Sequence, residues 1–441
     1  IIYLWMFKYS NFRKRIWETS VLSSRIISWI LNIDFIINNG TFEFKKNFFQ
    51  NIISQCNHLK RNIRFENNYL KKLEVLTALI LSGIVFKEYE DNFNLAIKEL
   101  EKFVKSHFDE HGFPLTRNPN DLIFFTKYLL LCHECLKDAQ HLMPEFLDEI
   151  IKKNLICIKL IKTPDNQLPL FNGGSENDLI NFEKYLENIN NNKKNTKDTL
   201  GGIFYAKSKQ QSLYFDVGHP PEKKYSKNYQ SGALSFEYFI EGKKIITNCG
   251  FGNNISQKAE LISRLTASQS TLTINDTSIT KFERNKFINR VYGNSIKNSF
   301  KTKELSVRSD KSFIGCSVIH DGYEKNFNCL HKREIYLDHE NNKLIGKDYI
   351  IKKKDGIPIR YVFRFHLNPE LTAVKTMSGS SALIQISKNK SLIFSVKDEN
   401  LEVNKSIYLG GKKILDNTCI SISGNLVNKD KSFNWEIKKK I

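Results

Sequence analysis

A helical half followed by a large antiparallel β-sandwich is the fold class this sequence predicts, and three observations carry the prediction. Up to about Leu186 the apolar residues recur at helical spacing. Residues 187–198 then read ENINNNKKNTKD, without a large apolar side chain apart from Ile189. Beyond them, short runs alternate apolar and polar residues between Gly, Asn, Asp and Lys. A change of period across a polar stretch marks a domain boundary, which assigns residues 1–186 to a helical domain, 187–199 to a linker and 200–441 to the sandwich. With 441 residues, both domains are large enough to bury a core of their own.

In the first half, Ile16, Leu22, Ile26 and Ile30 share one helical face, and so do Leu73, Leu76, Leu79, Ile80 and Ile84. Further helices are expected over residues 92–107, 121–137 and 144–161. Two turn-rich segments separate them, DEHGFPLTRNPN (109–120) and KTPDNQLPLFNGGSEND (162–178). The pattern is one of antiparallel helix pairs, open to assembly as a bundle or a toroid. In the second half, strands are expected at GGIFYAK (201–207), SLYFDVG (212–218), ALSFEYFIEGKKIITNCG (233–250) and STLTIND (270–276). They continue at REIYLDHENNKLIGKDYII (333–351), YVFRFHLN (361–368), ALIQIS (382–387), SLIFSV (391–396), SIYLGG (406–411), CISISGN (419–425) and FNWEIKK (433–439). Alternation with hairpin-like turns favours antiparallel pairing over a parallel sheet.

Composition narrows the function classes. Aromatics at 12% and apolar residues at 41% argue against disorder, and no apolar run reaches the roughly 18 residues of a membrane span, so a soluble folded protein is expected. The formal charge of +20 suits an anionic partner. Its lysines are nevertheless scattered beside Asn and Ile along the whole chain, the pattern of an ordinary solvated surface. Without an arginine-rich arm, zinc-finger spacing or an aromatic ribonucleoprotein motif, nucleic acid is not an expected partner.

Eight cysteines (Cys56, Cys132, Cys135, Cys157, Cys249, Cys316, Cys329, Cys419) show no disulfide-framework spacing and read as buried thiols. Cys132-His133-Glu134-Cys135 is half a metal site in form, but it lies in an apolar helical run and has no second CxxC partner. The chain opens IIYLWMFKYSNFRKR, and the apolar stretch Ile1–Phe7 is too short for a signal h-region with its cleavage site. No Ser-His-Asp arrangement, P-loop or dinucleotide fingerprint stands in a credible strand-turn-helix context.

The order of motifs in the β half resembles the heparinase II/III family of polysaccharide lyases. It runs through ALSFEYFIEGKKIITNCG, RLTASQSTLTIND (264–276), HDGYEKNFNCLHKREIYLD (320–338), KLIGKDYI (343–350), FRFHLNPEL (363–371), SIYLGG and FNWEIKK. The helical half is similar more faintly, through HLKRNIRFENNYLKKLEVLTALILSG (58–83), HGFPLTRNP (111–119) and LPLFNGG (168–174). The resemblance implies a partial α/α toroid joined to an antiparallel β-sandwich, and β-elimination on polysaccharides that carry uronic acid. That chemistry has three needs: the uronate carboxylate must be neutralised, a base must take the C5 proton, and an acid must protonate the departing glycosidic oxygen.

Carried across residue by residue, the resemblance places the family's Asn-His pair on Asn68-Tyr69 and its helix-turn tyrosine near Asp121. Its His-x-His-x-Asp motif falls on Asn228-Tyr229-Gln230-Ser231-Gly232. In members that hold zinc, the ligand positions correspond to Gln230, Asn248 and Gln269. Neutral amides are poor zinc ligands, so no metal or other cofactor is expected; the three amides are expected either to hydrogen-bond one another or to sit apart in their strands.

Two readings of function follow. In the first, a metal-independent lyase acts on an acidic polysaccharide such as a glycosaminoglycan: Asn68 neutralises the carboxylate, Tyr69 or Tyr229 shuttles the proton, and Arg117, Asn228, Gln230, Arg264 and Gln269 contact substrate. In the second, the same scaffold binds acidic polysaccharide, or serves the cell envelope structurally, without turnover. His320, His331 and His366, with Arg333 and Arg364, match scaffold motifs and are expected to be structural. By resemblance the compartment is the cell envelope or periplasm, and oligomeric state is left open.

Overall fold

The computed structural model describes residues 1–13, 15–86, 90–189, 199–285, 287, 289, 293–353, 358–427 and 429–440. Most of the expected linker, residues 190–198, lies outside the described residues. Two compact units are present: Ile1–Gly112 with Leu122–Leu155, and Phe113–Asp121 with Ile156–Ile441.

The first unit is helical. Its main elements are α1 (Ile2–Tyr9), α2 (Thr19–Leu31), α3 (Ile33–Ile37), α4 (Phe42–Asn62), α5 (Tyr69–Val85), α6 (Glu90–His107), most of α7 (Pro119–Asp138) and the first part of α8 (Glu145–Ile161). Helix α4 starts where the Thr41 side chain accepts from the Phe44 N–H, and α5 starts at Asn68 in the same way. Leu73, Val75, Leu76, Ala78, Leu79, Ile80 and Leu81 are buried all round α5, because α2, α4 and α6 pack against it. No described helix is long and apolar enough to cross a membrane.

The second unit is a β-sandwich with short helices α9 (Glu183–Glu187), α10 (Gln257–Ser263) and α11 (Glu324–Phe327). Its first sheet runs β1 (Thr199–Leu200), β2 (Ile203–Lys207), β3 (Gln211–Asp216), β4 (Phe236–Ile240), β5 (Lys243–Thr247), β11 (Ile359–Leu367), β16 (Leu415–Leu426), β15 (Leu401–Tyr408), with β6 (Leu272–Ile274) also on β11. The second runs β12 (Thr372–Lys375), β13 (Ser381–Ser387), β14 (Lys390–Val396), β17 (Lys431–Lys439), β10 (Lys343–Lys352), β9 (Cys329–Asp338), β8 (Phe313–His320), β7 (Thr302–Ser309). Every strand pair is antiparallel, as the alternation predicts.

Between the sheets, Trp435 stacks on Phe236 at 5.5 Å and meets Phe365 edge-on at 5.0 Å. Glycine at 346 makes room for that indole, since a Cβ there would lie 2.0 Å from Trp435 Cζ2. Strands β1, β7, β8 and β12 carry no expectation from the sequence. For β7 the reason is plain: nearly all its residues are exposed, so an edge strand shows no apolar alternation.

Candidate functional site

In the second unit the turn before α7 reaches the β-strands through Arg117, which adopts a left-handed backbone (φ 57°) that points it inward. Its Nε donates to Gly201 O at 2.8 Å, Nη1 to His219 O at 2.7 Å and Nη2 to Gly202 O at 3.2 Å, and Nη2 also pairs with the buried Asp216 carboxylate. Four of its five N–H groups are thus committed inside the protein. The expected substrate contact is instead a clasp, and the reason is the carboxylate of Asp216, which burial leaves dependent on a cation.

Beside the clasp lies Gln230, buried at the start of the segment that leads into β4. Its Oε1 accepts from the Gly173 N–H at 2.9 Å, and its Nε2 donates to Gly250 O (3.0 Å) and Ser263 O (2.7 Å). Gly173 must be glycine: its φ is +102°, and a Cβ would stand 2.7 Å from Asn118 Nδ2 and 2.9 Å from Asn228 Cβ. Gln269 Nε2 donates to the same Ser263 carbonyl at 2.8 Å, while Asn248 Oδ1 accepts from the Ser270 N–H at 2.9 Å. The amides therefore do not bond to one another, as one expectation had them. Ser263 closes α10, and its carbonyl lacks a helical partner, so two amides supply the missing donors.

This arrangement does not fit a zinc ion. Gln230 and Gln269 aim N–H groups at the shared centre, where a cation needs lone pairs, and the Gln230 and Asn248 oxygens already accept backbone hydrogens. Among the described residues, no three His, Cys, Asp or Glu side chains converge as a ligand set.

Tyr229 is 1% exposed, and its hydroxyl has no hydrogen-bond partner among the described residues. Desolvation, aided by the Asp216 charge, pushes the phenol further above its ordinary value. Arg264, expected to touch substrate, is fully buried: Nε donates to Tyr229 O at 2.9 Å, Nη2 to Ser226 O at 3.2 Å, and the guanidinium lies 3.8 Å from the Phe282 ring centre. Here arginine satisfies loop carbonyls that the apolar surroundings cannot. Asn228 is half-buried, and Asp121, near which the resemblance places the family's tyrosine, is buried and accepts from Asn118 Nδ2 at 3.2 Å.

In the first unit, Asn68 is the N-cap of α5, its Oδ1 accepting from Leu70 N (3.0 Å) and Lys71 N (3.4 Å). That fixes the amide and leaves Nδ2 for another acceptor. Tyr69 is the first residue of the helix, half-buried, with its ring 5.9 Å from His107 and 6.0 Å from Phe125.

The expected structural histidines are buried. Gly322 N donates to His320 Nδ1 (3.1 Å), so His320 Nε2 donates to His331 Nδ1 (3.2 Å) and His331 Nε2 to Asp348 (2.8 Å), a consistent chain of neutral rings. His219 was not singled out in the sequence reading. It lies in Gly-His-Pro-Pro after β3, exposed on a cavity of about 350 Å³ with Thr199, Gly202, Thr302 and Lys303, and desolvation, then the Arg117 charge, holds its imidazole below the ordinary value. Nothing in a turn tetrapeptide signals that setting.

Residues 197–436 match the family model described as heparinase II/III-like, C-terminal. No curated protein matches the sequence significantly. Among solved structures, Heparinase III is similar with a TM-score of 0.77 and 14% identity, covering 99% of this chain and 72% of that one. The heparan sulfate lyase from Pedobacter heparinus follows at 0.73 and 14%, with the same coverage. The product named heparinase III-BT4657 is similar at 0.76 and 12%, covering 96% and 68%.

Proposed function

Because the chain belongs to the heparinase II/III-like family, we propose that it is a polysaccharide lyase that cleaves an acidic, uronate-bearing polysaccharide by β-elimination without a metal ion. One observation carries the metal-independent form of this reading: Gln230 and Gln269 turn their N–H groups onto the Ser263 carbonyl where related enzymes with zinc need ligands.

The reacting groups assigned are Asn68 and Tyr69. Asn68 Nδ2 hydrogen-bonds the uronate carboxylate, and the positive end of α5 favours the same anion. Tyr69, as phenolate, takes the C5 proton; the electron pair forms the C4=C5 bond, the C4–O bond breaks, and the leaving oxygen recovers the proton from the phenol. Within the β unit, Asn228 is half-buried and is assigned a substrate contact in its own right. Tyr229, Arg117, Arg264, Gln230 and Gln269 act as framework, since their polar groups are enclosed or engaged within the protein. The compartment assigned is the cell envelope or periplasm.

A second reading, glycan binding without turnover, is favoured by the amides Asn228 and Gln230, which stand where the resemblance places the two histidines of the family's His-x-His-x-Asp motif. Ultraviolet absorbance of the unsaturated uronate product separates the two, measured over a panel of acidic glycans for the wild type and Tyr69→Phe. The lyase reading expects product from the wild type and a loss of at least about a hundredfold in the variant; binding without product from any glycan supports the second.

A further inference from the structure

Strands β11, β16 and β15 lie side by side in register, Arg364 opposite Ser421 and Ser421 opposite Glu402, with His366 opposite Cys419 and Cys419 opposite Asn404. Alternation sends Phe363, Phe365, Ile420 and Ile422 into the core and leaves the other set on the opposite face. The central strand of that face carries small side chains, Cys419, Ser421 and Ser423, while its neighbours carry long ones. A trough results, with a cavity of about 270 Å³.

Its polar groups are held in place. Ser406 Oγ lies 3.0 Å from His366 Nδ1, and His366 Nε2 lies 3.1 Å from Ala267 O, so both ring nitrogens are engaged. Asn404 Nδ2 donates to Ser421 Oγ at 3.1 Å, and Arg364 Nη1 donates to Thr273 Oγ1. Arg360, Arg364 and Lys405 bring positive charge to the trough. The counter-charges are Glu402 on the far rim and Asp276, which meets Arg360 at 3.2 Å and Arg364 at 3.9 Å. Asp276 is largely exposed, so exchanging it for another carboxylate costs little.

We propose that this trough is a non-catalytic subsite that holds one acidic saccharide unit of a polysaccharide, its carboxylate on Arg360 and Arg364 and its hydroxyls on Asn404, Ser421 and Ser423. The inference rests on the acidic-polysaccharide reading above but not on turnover. The cavity is smaller than the roughly 300–1,000 Å³ of sites for drug-sized ligands, which suits a single ring. A guanidinium fork matches a carboxylate, and hydroxyl and amide groups match sugar hydroxyls. With both nitrogens of His366 engaged, that imidazole does not serve as a base toward the bound ring.

The test is a ligand-observed NMR titration of the full chain with methyl glucuronoside, which has no glycosidic bond at C4 and cannot be eliminated. Methyl glucoside and sodium sulfate are the controls. Ser423 is exposed on its strand, so Ser423→Leu fills the trough without entering the core; Arg364→Gln removes the fork. Binding by the wild type, weakened about tenfold or more in each variant and in methyl glucoside, is the expected result. Unchanged affinity in both variants, or equal competition by sulfate alone, overturns the proposal. If the trough variants weaken binding while the wild type yields no unsaturated product from any glycan, the subsite stands and the lyase reading falls.

Discussion

Arg333 and Asp348 face one another across β9 and β10 as a fully buried two-point ion pair, Nε to Oδ1 at 2.7 Å and Nη2 to Oδ2 at 3.1 Å. The remaining Nη1 donates to Leu234 O (2.7 Å) and Ser270 O (2.8 Å), backbone on either side of the Gln230 and Gln269 clamp. Asp348 also accepts from Trp435 Nε1 at 2.8 Å and from His331. One carboxylate thus ties the second sheet to the loops that carry the family's altered motif. Asp348→Ala leaves Arg333 buried without its counter-charge and is expected to cost about 3–5 kcal/mol, read from the denaturant midpoint.

The same network sets a pH dependence. Burial holds His320 and His331 below the ordinary 6.5 and brings His366 down to about 4, so all three fold as neutral rings. A depressed folded value contributes stability above the unfolded value and loses it as pH falls through the folded one. Stability is therefore expected to decline from about pH 6.5 downward, with His366 contributing its loss down to about pH 4. The Asp348 contribution persists lower still, from 3.8 towards about 2, because desolvation, which raises that carboxyl, is outweighed by the Arg333 charge and the hydrogen bonds from His331 and Arg333 taken together. Denaturant midpoints at stepped pH check the order, and His366→Gln should flatten the first part of the decline.

Tyr229→Phe removes a buried hydroxyl that has no partner among the described residues. The expected change is neutral or stabilising, by up to about 1 kcal/mol, with no loss of turnover. Thermal melting and the product assay read both. A drop in rate without a drop in stability would return this tyrosine to the reacting groups.

Gln230→Ala abolishes bonds to Gly173 N, Gly250 O and Ser263 O at once. The stranded backbone groups are expected to cost about 2–3 kcal/mol, read by thermal or denaturant unfolding. A surface amide would cost far less.

Much of the fold was legible because burial imposes a period: Leu73 to Ile84 follow the helix and FRFHLN follows the strand. The exposed β7 lacks that imprint. The partners of the candidate residues were not legible in the sequence. Arg117 has the look of a turn residue in RNPND, and its counter-ion Asp216 lies 99 positions away. Gln230 and Gln269 read as an altered ligand set, yet what they hold is a backbone carbonyl at Ser263, which every residue possesses and no motif can mark. His219 gained its setting from Arg117, again across 102 positions.

The central claim is elimination without metal, and the most direct measurement is the ultraviolet absorbance of unsaturated uronate, followed over acidic glycans with and without a chelator. The account predicts product from at least one glycan at a rate the chelator leaves unchanged and added zinc does not raise. Product that vanishes with the chelator and returns with zinc would contradict the amide clamp, and no product from any glycan that the protein binds would contradict the lyase itself.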